Sequence, residues 1–331
     1  MAVDLGVFED RRYTYDKGMI YQVVPDVRDG VRAGLGRKLQ IADYSQIEVR
    51  LMAFMAQEPS FIEALNAKRD IHGHMASIVF GESYEILDNV LGLSSDTKDK
   101  KHPRYNELLA MRSNVKTVTF GVPYGAGPRR VAEMIQKKDA AGNPIETMED
   151  AIDRAKELID TYFARAPRLK AWLGEQKRLA QKEGYTSSIQ GRKRFYELPN
   201  KNNPDYEKIM SQIGRYAGNH PIQSSSADML KDAMHRLYLL HRGWDGASAQ
   251  PWTAPKVLDS NLMLVCHDEI VTDCGVGHLD RGGFLLEKAM SDAYNAVTMS
   301  PLMPNGQRKT FYLKDIYARV AVLTADYWAK D

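Results

Sequence analysis

Cysteine is scarce in this chain: 331 residues hold two, Cys266 and Cys274. That excludes a disulfide-stapled scaffold and suits a reducing compartment. Only His267 lies near them in sequence, which makes a poor zinc site. Long apolar runs are also missing, so no segment reads as a bilayer span. No basic-then-apolar leader follows Met1; together these absences predict a soluble protein that stays in the cytoplasm. An excess of either charge is missing too, with 45 Lys and Arg against 43 Asp and Glu, a net charge of +2 and a pI near 8.3. Bulk attraction to nucleic acid is therefore weak, and any such binding has to use local patches. No internal repeat or low-complexity segment occurs.

What is present is enough apolar material, 44% of residues, to bury a sizeable core in one large domain with subdomains or in two domains. The most informative stretch runs from Ile41 to Arg50. Lys38 to Ala42 alternates polar and apolar residues as a strand does, and from Ile47 the period changes, with Ile47, Leu51, Phe54 and Met55 on one helical face. Asp43 thus falls at a strand end leading into a helix. A carboxylate so placed can be held rigidly toward a cleft, as a metal ligand must be, or can serve as a turn or helix cap.

A second stretch, Leu108 to Gly125, spaces Arg112, Lys116 and Phe120 by four, which puts two cations and a ring in line on one helix face. Met111, Val115, Val118 and Val122 supply its apolar back. Such a face suits a triphosphate with its base end near the ring, and it equally suits a solvated basic stripe with one buried Phe. In the third stretch, two apolar strands flank the tight turn His267-Asp268-Glu269, which brings carboxylates to the rim of a core sheet. Around these lie an expected hairpin with Arg192, Lys193 and Arg194 at its tip and a helical span from Asp205 to Leu240 interrupted at Asn219-His220-Pro221. Helices are expected across 128–183, with a polar turn at Ala141-Gly142-Asn143-Pro144 and a new start at Ala166-Pro167, and from Leu279 to Val297; also expected are an edge-like strand at Ile316 to Leu323, a loop from Trp244 to Pro255, and a polar surface insertion between Glu82 and Tyr105. His72 and His74 are two apart and point in different directions on a helix, so they do not form a chelating pair. Two carboxylates from separate strands can bridge two Mg²⁺ ions while Arg and Lys hold a triphosphate in line, which is the chemistry of nucleotidyl transfer.

At this point the residues resemble the family A DNA polymerases of the bacterial DNA polymerase I type. Asp43-Tyr44-Ser45-Gln46-Ile47-Glu48-Val49-Arg50 is similar to their motif A, Arg112-x3-Lys116-x3-Phe120-Gly121-x2-Tyr124-Gly125 to motif B, and His267-Asp268-Glu269 to motif C. Asp70-Ile71-His72, Gly191-Arg192-Lys193-Arg194 and Asn219-x-Pro221-x-Gln223 extend the likeness over nearly the whole chain. The resemblance implies an α+β fold, a palm built on an antiparallel sheet with helical fingers. The palm would take residues 1–58 and 185–331 and the fingers 59–184. It implies a catalytic set of Asp43, Asp268, Glu269 and Lys116, with Asp43, Asp268 and the Tyr44 carbonyl as ligands of two Mg²⁺ ions, for which Mn²⁺ can substitute.

Further roles come with the same resemblance. His72, Arg112 and Lys116 would hold the incoming triphosphate, Gln46 and Glu48 would lie near the sugar with Glu48 as the gate against a 2′-hydroxyl, Phe120 would stack on the nucleotide, and Tyr124 would occupy the template-base position. His267, with Glu269, would sit near the primer end. Arg192, Arg194, Arg215, Asn219 and Gln223 would contact DNA. The expected function is template-directed DNA synthesis from dNTPs on a primer-template. A single-subunit RNA polymerase would lack the Glu48 gate and the Phe120-Gly121 pair, and a degenerate DNA-binding subunit would not keep every charged residue of the chemistry.

Three departures from the family pattern stand out: Pro123 inside motif B, expected to bend the last helical turn and so to leave the position of Tyr124 open, Ser224 where the family usually has Gly, and the polar span after Glu82, which resembles an insertion relative to shorter relatives. Only 42 residues precede Asp43, which leads to the expectation that thumb and exonuclease domains are absent. A second polypeptide, as in a split polymerase encoded by a phage, would supply the thumb, a 3′–5′ exonuclease or both and dock on an apolar patch near residues 1 to 25; the alternatives are a truncated chain and an enzyme that accepts low processivity.

Overall fold

The computed structural model describes residues 14–16, 19–21, 27–95, 97–137, 143–244, 255–301, 306–318 and 320–328. In chain order these form β1 (Thr14–Asp16), β2 (Met19–Tyr21), β3 (Arg37–Tyr44), α1 (Ile47–Ala56), α2 (Pro59–Asn66), α3 (Ile71–Phe80), α4 (Tyr84–Leu91), α5 (Tyr105–Gly121), α6 (Pro128–Ile135), α7 (Met148–Arg165) and α8 (Pro167–Glu183). There follow β4 (Tyr185–Ser187), β5 (Lys193–Phe195), α9 (Tyr206–Leu240), β6 (Ser260–Cys266), β7 (Glu269–Gly275), α10 (Leu279–Ala296), β8 (Thr298–Met299), β9 (Phe311–Tyr312) and β10 (Val320–Ala325). The architecture is α+β, helices with antiparallel strands, as the sequence implies. Contacts divide the chain into two compact units: Met1–Tyr44, Asp232–Asp292 and Val320–Asp331 in one, Ser45–Lys231 and Ala293–Arg319 in the other.

The first unit is built on a four-stranded antiparallel sheet ordered β10-β3-β7-β6. Alternation in β3 sorts its residues by face. Leu39 and Ile41 join Val271 in a core cluster to which Val31, Ala33, Leu264, Leu323, Ala325 and Trp328 add apolar cover. Gln40, Ala42 and Tyr44 take the opposite face. There the Gln40 amide donates to the Leu279 carbonyl at 2.7 Å, and the Tyr44 hydroxyl donates to the Met290 carbonyl at 2.8 Å. Gly282 permits the close packing of α10 on this face, since a Cβ there would lie 2.5 Å from the Gln40 amide oxygen and 2.7 Å from the Cys274 sulfur.

The second unit is mainly helical. In α7, Ala151, Ala155, Leu158 and Tyr162 form the buried stripe of an amphipathic helix, and the Thr147 hydroxyl caps its start by accepting from the Asp150 amide at 3.1 Å. Tyr162 packs edge-on against Phe61 with ring centres 6.4 Å apart and donates to the Thr119 hydroxyl of α5 at 3.1 Å. Buried Glu58 accepts from the Arg168 and Leu169 amides at 2.9 and 3.1 Å, so a carboxylate from just before α2 satisfies the free donors at the start of α8.

The span 128–183 is as expected: three helices, with the start at Ala166-Pro167 forming the junction of α7 and α8 and the turn at 141–144, of which 141 and 142 lie outside the described residues, falling between α6 and α7. Several other elements differ from the sequence reading. The Glu82–Tyr105 segment contains a helix, α4, whose Leu87, Val90 and Leu91 are buried, rather than polar surface alone. The edge strand is β10, beginning at Val320 and pairing only with β3. The expected break at Asn219–Pro221 is absent: α9 runs unbroken with Pro221 inside it. Proline removes one donor and frees a carbonyl in the preceding turn. In the next turn the Ser224 hydroxyl donates to the His220 carbonyl at 2.6 Å and the Ser225 hydroxyl to the Pro221 carbonyl at 2.7 Å, neither of which is the Ala217 carbonyl that the proline frees. Ser224 thus has a local structural use at the position where the family usually has Gly. The loop expected from Trp244 to Pro255 lies almost wholly outside the described residues, and the expected apolar patch near residues 1 to 25 lies outside those whose side chains are described.

Candidate active site

Main-chain geometry places Asp43 and Asp268 of the first unit at the same end of the sheet. Asp43 occupies the next-to-last position of β3 and is in register with Glu269 of β7. His267 and Asp268 make the two-residue connection between β6 and β7, with His267 in the left-handed region at φ 57°. That conformation, uncommon for a residue with a Cβ, keeps the connection tight. The Tyr44 amide donates to the Asp268 carbonyl at 3.4 Å, so the turn carrying Asp268 is tied to the end of the strand carrying Asp43. Asp43 is exposed and Asp268 half-buried. Tyr44 itself is an anchor: its ring is buried, and burial, with Asp232 adding to it, raises its phenol well above the usual range.

Glu269 points elsewhere. Its carboxylate is buried, accepts from the Arg28 guanidinium at 3.3 Å and receives the Trp328 indole N–H. Arg28 in turn lies over the Trp328 ring, 4.2 Å from its centre. The structure therefore sets Asp43 beside Asp268 and engages Glu269 in packing the same sheet, while His267 is exposed at the turn.

The donor set at the strand end is two carboxylates and main-chain oxygen, all hard ligands. Among the described residues no group of three or more acidic, His or Cys side chains could hold a metal. Hard oxygen ligands of this kind are what a hard divalent cation such as magnesium takes, since it keeps waters and substrate phosphates in its shell and needs one or two protein carboxylates.

In the second unit the cationic face of α5 meets the first turn of α3. Arg112 and Asp70 form a two-pronged ion pair, Nε to Oδ1 and Nη2 to Oδ2, each 2.8 Å. Asp70 also caps α3 by accepting from the Gly73 amide at 2.7 Å. Its carboxyl is held below the ordinary range, although burial opposes this, because Arg112 and the Gly73 amide favour the charged form. Lys116, one turn beyond Arg112, is exposed and makes no ion pair among the described residues. His72 is buried, its ring centre 5.3 Å from that of Phe120. Burial pushes the imidazole down to about 4, so it is neutral at physiological pH, and its Nδ1 has no partner among the described residues.

Glu48 and Tyr124 meet directly, the phenol donating to Oε2 at 2.5 Å, while the Gln223 amide donates to the same phenol oxygen at 3.3 Å. Burial and the Glu48 charge raise the Tyr124 phenol. Pro123 has its expected local effect: α5 ends at Gly121, and the chain turns through Val122 to Gly125. Gly125 adopts φ 86°, and a Cβ on it would sit 2.5 Å from the Arg215 side chain, which lies across this turn. Gln46 begins α1 in the left-handed region at φ 54° and reaches the Asp70 carboxylate at 3.5 Å. Of the apolar back expected for α5, Val115 and Val118 are buried, and Met111 and Val122 are partly so.

The predicted DNA contacts have mixed surroundings. Arg192 is tied to α9, pairing with Asp228 at 2.8 Å and donating to the Ser224 carbonyl at 2.9 Å. Arg194 lies over Tyr216 at 4.8 Å, and Arg215 donates to the Ser211 hydroxyl at 3.0 Å. Asn219 holds a buried Oδ1 without a partner among the described residues, and Gln223 is exposed. The sequence reading quoted Asp70 only as part of a motif and gave it no role. Its place before an apolar helical run marked it as a cap; its partner, 42 residues away, could not be read from spacing.

The model of DNA polymerase family A matches residues 22–307. DNA polymerase I of Mycobacterium bovis is 31% identical over 270 residues, covering 81% of this chain and 24% of the relative. The thermostable DNA polymerase I of Thermus aquaticus is 26% identical, covering 81% of this chain and 26% of that protein. The chain thus spans about a quarter of the length of the curated relatives it matches. Among solved structures, the POL domain of Pol1 from M. smegmatis in complex with DNA primer-template and dNTP superposes with a TM-score of 0.64 at 27% identity, covering 91% of this chain and 42% of the other.

Proposed function

The chain belongs to DNA polymerase family A, and on that premise we propose that it carries out template-directed nucleotidyl transfer from a dNTP to a primer 3′-hydroxyl. One observation carries the reading: Asp43 and Asp268 are brought to one corner of a sheet by the Asp43–Glu269 register and the Tyr44–Asp268 main-chain bond. Magnesium held there with help from the Tyr44 carbonyl would, when bound, favour the ionised hydroxyl and offset charge on the leaving diphosphate. Arg112 and Lys116 bind and orient the triphosphate by charge-assisted hydrogen bonds. His72, neutral, contributes a hydrogen bond and no charge. Phe120 offers its ring to the nucleotide, and Glu48, held by Tyr124, excludes a 2′-hydroxyl. Residues 1–58 and 185–331 act as palm and 59–184 as fingers.

Primer extension by the wild-type chain and by Asp268→Ala tests the reading. Extension by the first and loss by the second is expected, and equal extension by both would overturn it.

A further inference from the structure

Asp70 sets an acidic group against the cationic face of α5, and it is doubly anchored before it touches Arg112. Its carboxylate caps α3 through the Gly73 amide, and its own amide donates to the Tyr84 hydroxyl of α4 at 3.0 Å. The Asp70 side chain is 9% exposed and that of Arg112 24%. A guanidinium has five N–H donors in a rigid fork. Asp70 takes one from Nε and one from Nη2, so Nη1 and the second Nη2 hydrogen stay outside the pair. Two parallel charge-assisted bonds remove the rotation that an arginine on a long stem otherwise has. The same first turn of α3 holds His72 against Phe120, so one element braces α5 at two points two turns apart.

We propose that Asp70 is the positioning residue for Arg112, fixing the guanidinium so that its remaining donors meet the phosphates of the incoming nucleotide. The proposal rests on the DNA polymerase reading above and adds a residue to it. Asp70 touches no nucleotide; it acts through Arg112. An Arg112 that had to be ordered by the nucleotide itself would cost binding free energy, and this cost falls on KM more than on kcat when the interaction is equal in ground and transition states.

The cap and the ion pair can be separated, because Asn caps a helix about as well as Asp but offers Arg no paired anionic oxygens. In Asp70→Asn the KM for dNTP should rise by about tenfold or more with kcat changed by less than about threefold, and Tyr84→Phe should shift KM in the same direction by less. In an Arg112→Ala background the Asp70→Asn change should have no further effect on KM. An unchanged KM in the single variant overturns the proposal, and so does an equal rise in the Arg112→Ala background, which would mark a general structural role. Calorimetric binding of inorganic tripolyphosphate by the full 331-residue chain reads the pair without catalysis. Weaker binding by Asp70→Asn supports the proposal and equal binding overturns it, even if the wild-type chain extends no primer and the polymerase reading itself falls.

Discussion

Around Asp43 the functional groups are placed by main-chain hydrogen bonds, whereas along α5 they are placed by side chains that grip other side chains. The strand-end corner has its geometry from the β3–β7 ladder and the Tyr44–Asp268 bond. No single side-chain substitution removes a ladder, so a carboxylate there can be deleted with the corner intact. On α5, Arg112 depends on Asp70, Phe120 on His72, and Tyr124 on Glu48 and Gln223. Each substitution there changes the position of a neighbour as well. The first arrangement suits groups whose spacing must not vary, and the second suits a surface that grips a ligand.

The largest effect expected from this contrast is at the corner itself. Asp43→Ala should lower nucleotide incorporation by about a thousandfold or more, with little change in the urea unfolding midpoint, because the ladder remains. A comparable loss of stability would break the comparison.

Acid titration sharpens it next. His72 in the helical unit and His241 in the sheet unit are both buried and pushed down from 6.5 to about 4. In the unfolded chain they take up protons near pH 6.5 while the folded chain keeps them neutral, so the stability they confer is complete above that pH and lost as it falls toward 4. Each should cost about 2 kcal/mol at most between pH 7.5 and 5. Urea midpoints measured across this window should fall, and His241→Asn should flatten the slope.

A smaller change tests the linked side chains. Glu48→Ala removes the partner of Tyr124 and should raise incorporation of ribonucleotides relative to deoxynucleotides by about tenfold or more, measured by competitive primer extension. An unchanged ratio would show that the gate lies elsewhere. The smallest effect is expected for Tyr44→Phe, which deletes the bond to the Met290 carbonyl and should lower unfolding free energy by about 1 kcal/mol while leaving the Asp43–Glu269 register, and so the activity, nearly unchanged.

The sequence by itself determined the strand that carries Asp43 near its end, the helix that follows it, the cationic line of α5 and the acidic hairpin. Each is written in the period of neighbouring residues, two for strands and near four for helices, and adjacent residues are all that such a period requires. Only the tertiary structure decided which polar groups share a partner. Arg112 finds Asp70 across 42 residues, and Glu269 finds Arg28 across 241 and Trp328 across 59. Nor could spacing show that α9 passes through Pro221, because local preference at a proline argues for a break. The reason is common to all of these: a pairing between distant residues depends on where the chain returns, and that is settled by the packing of whole elements.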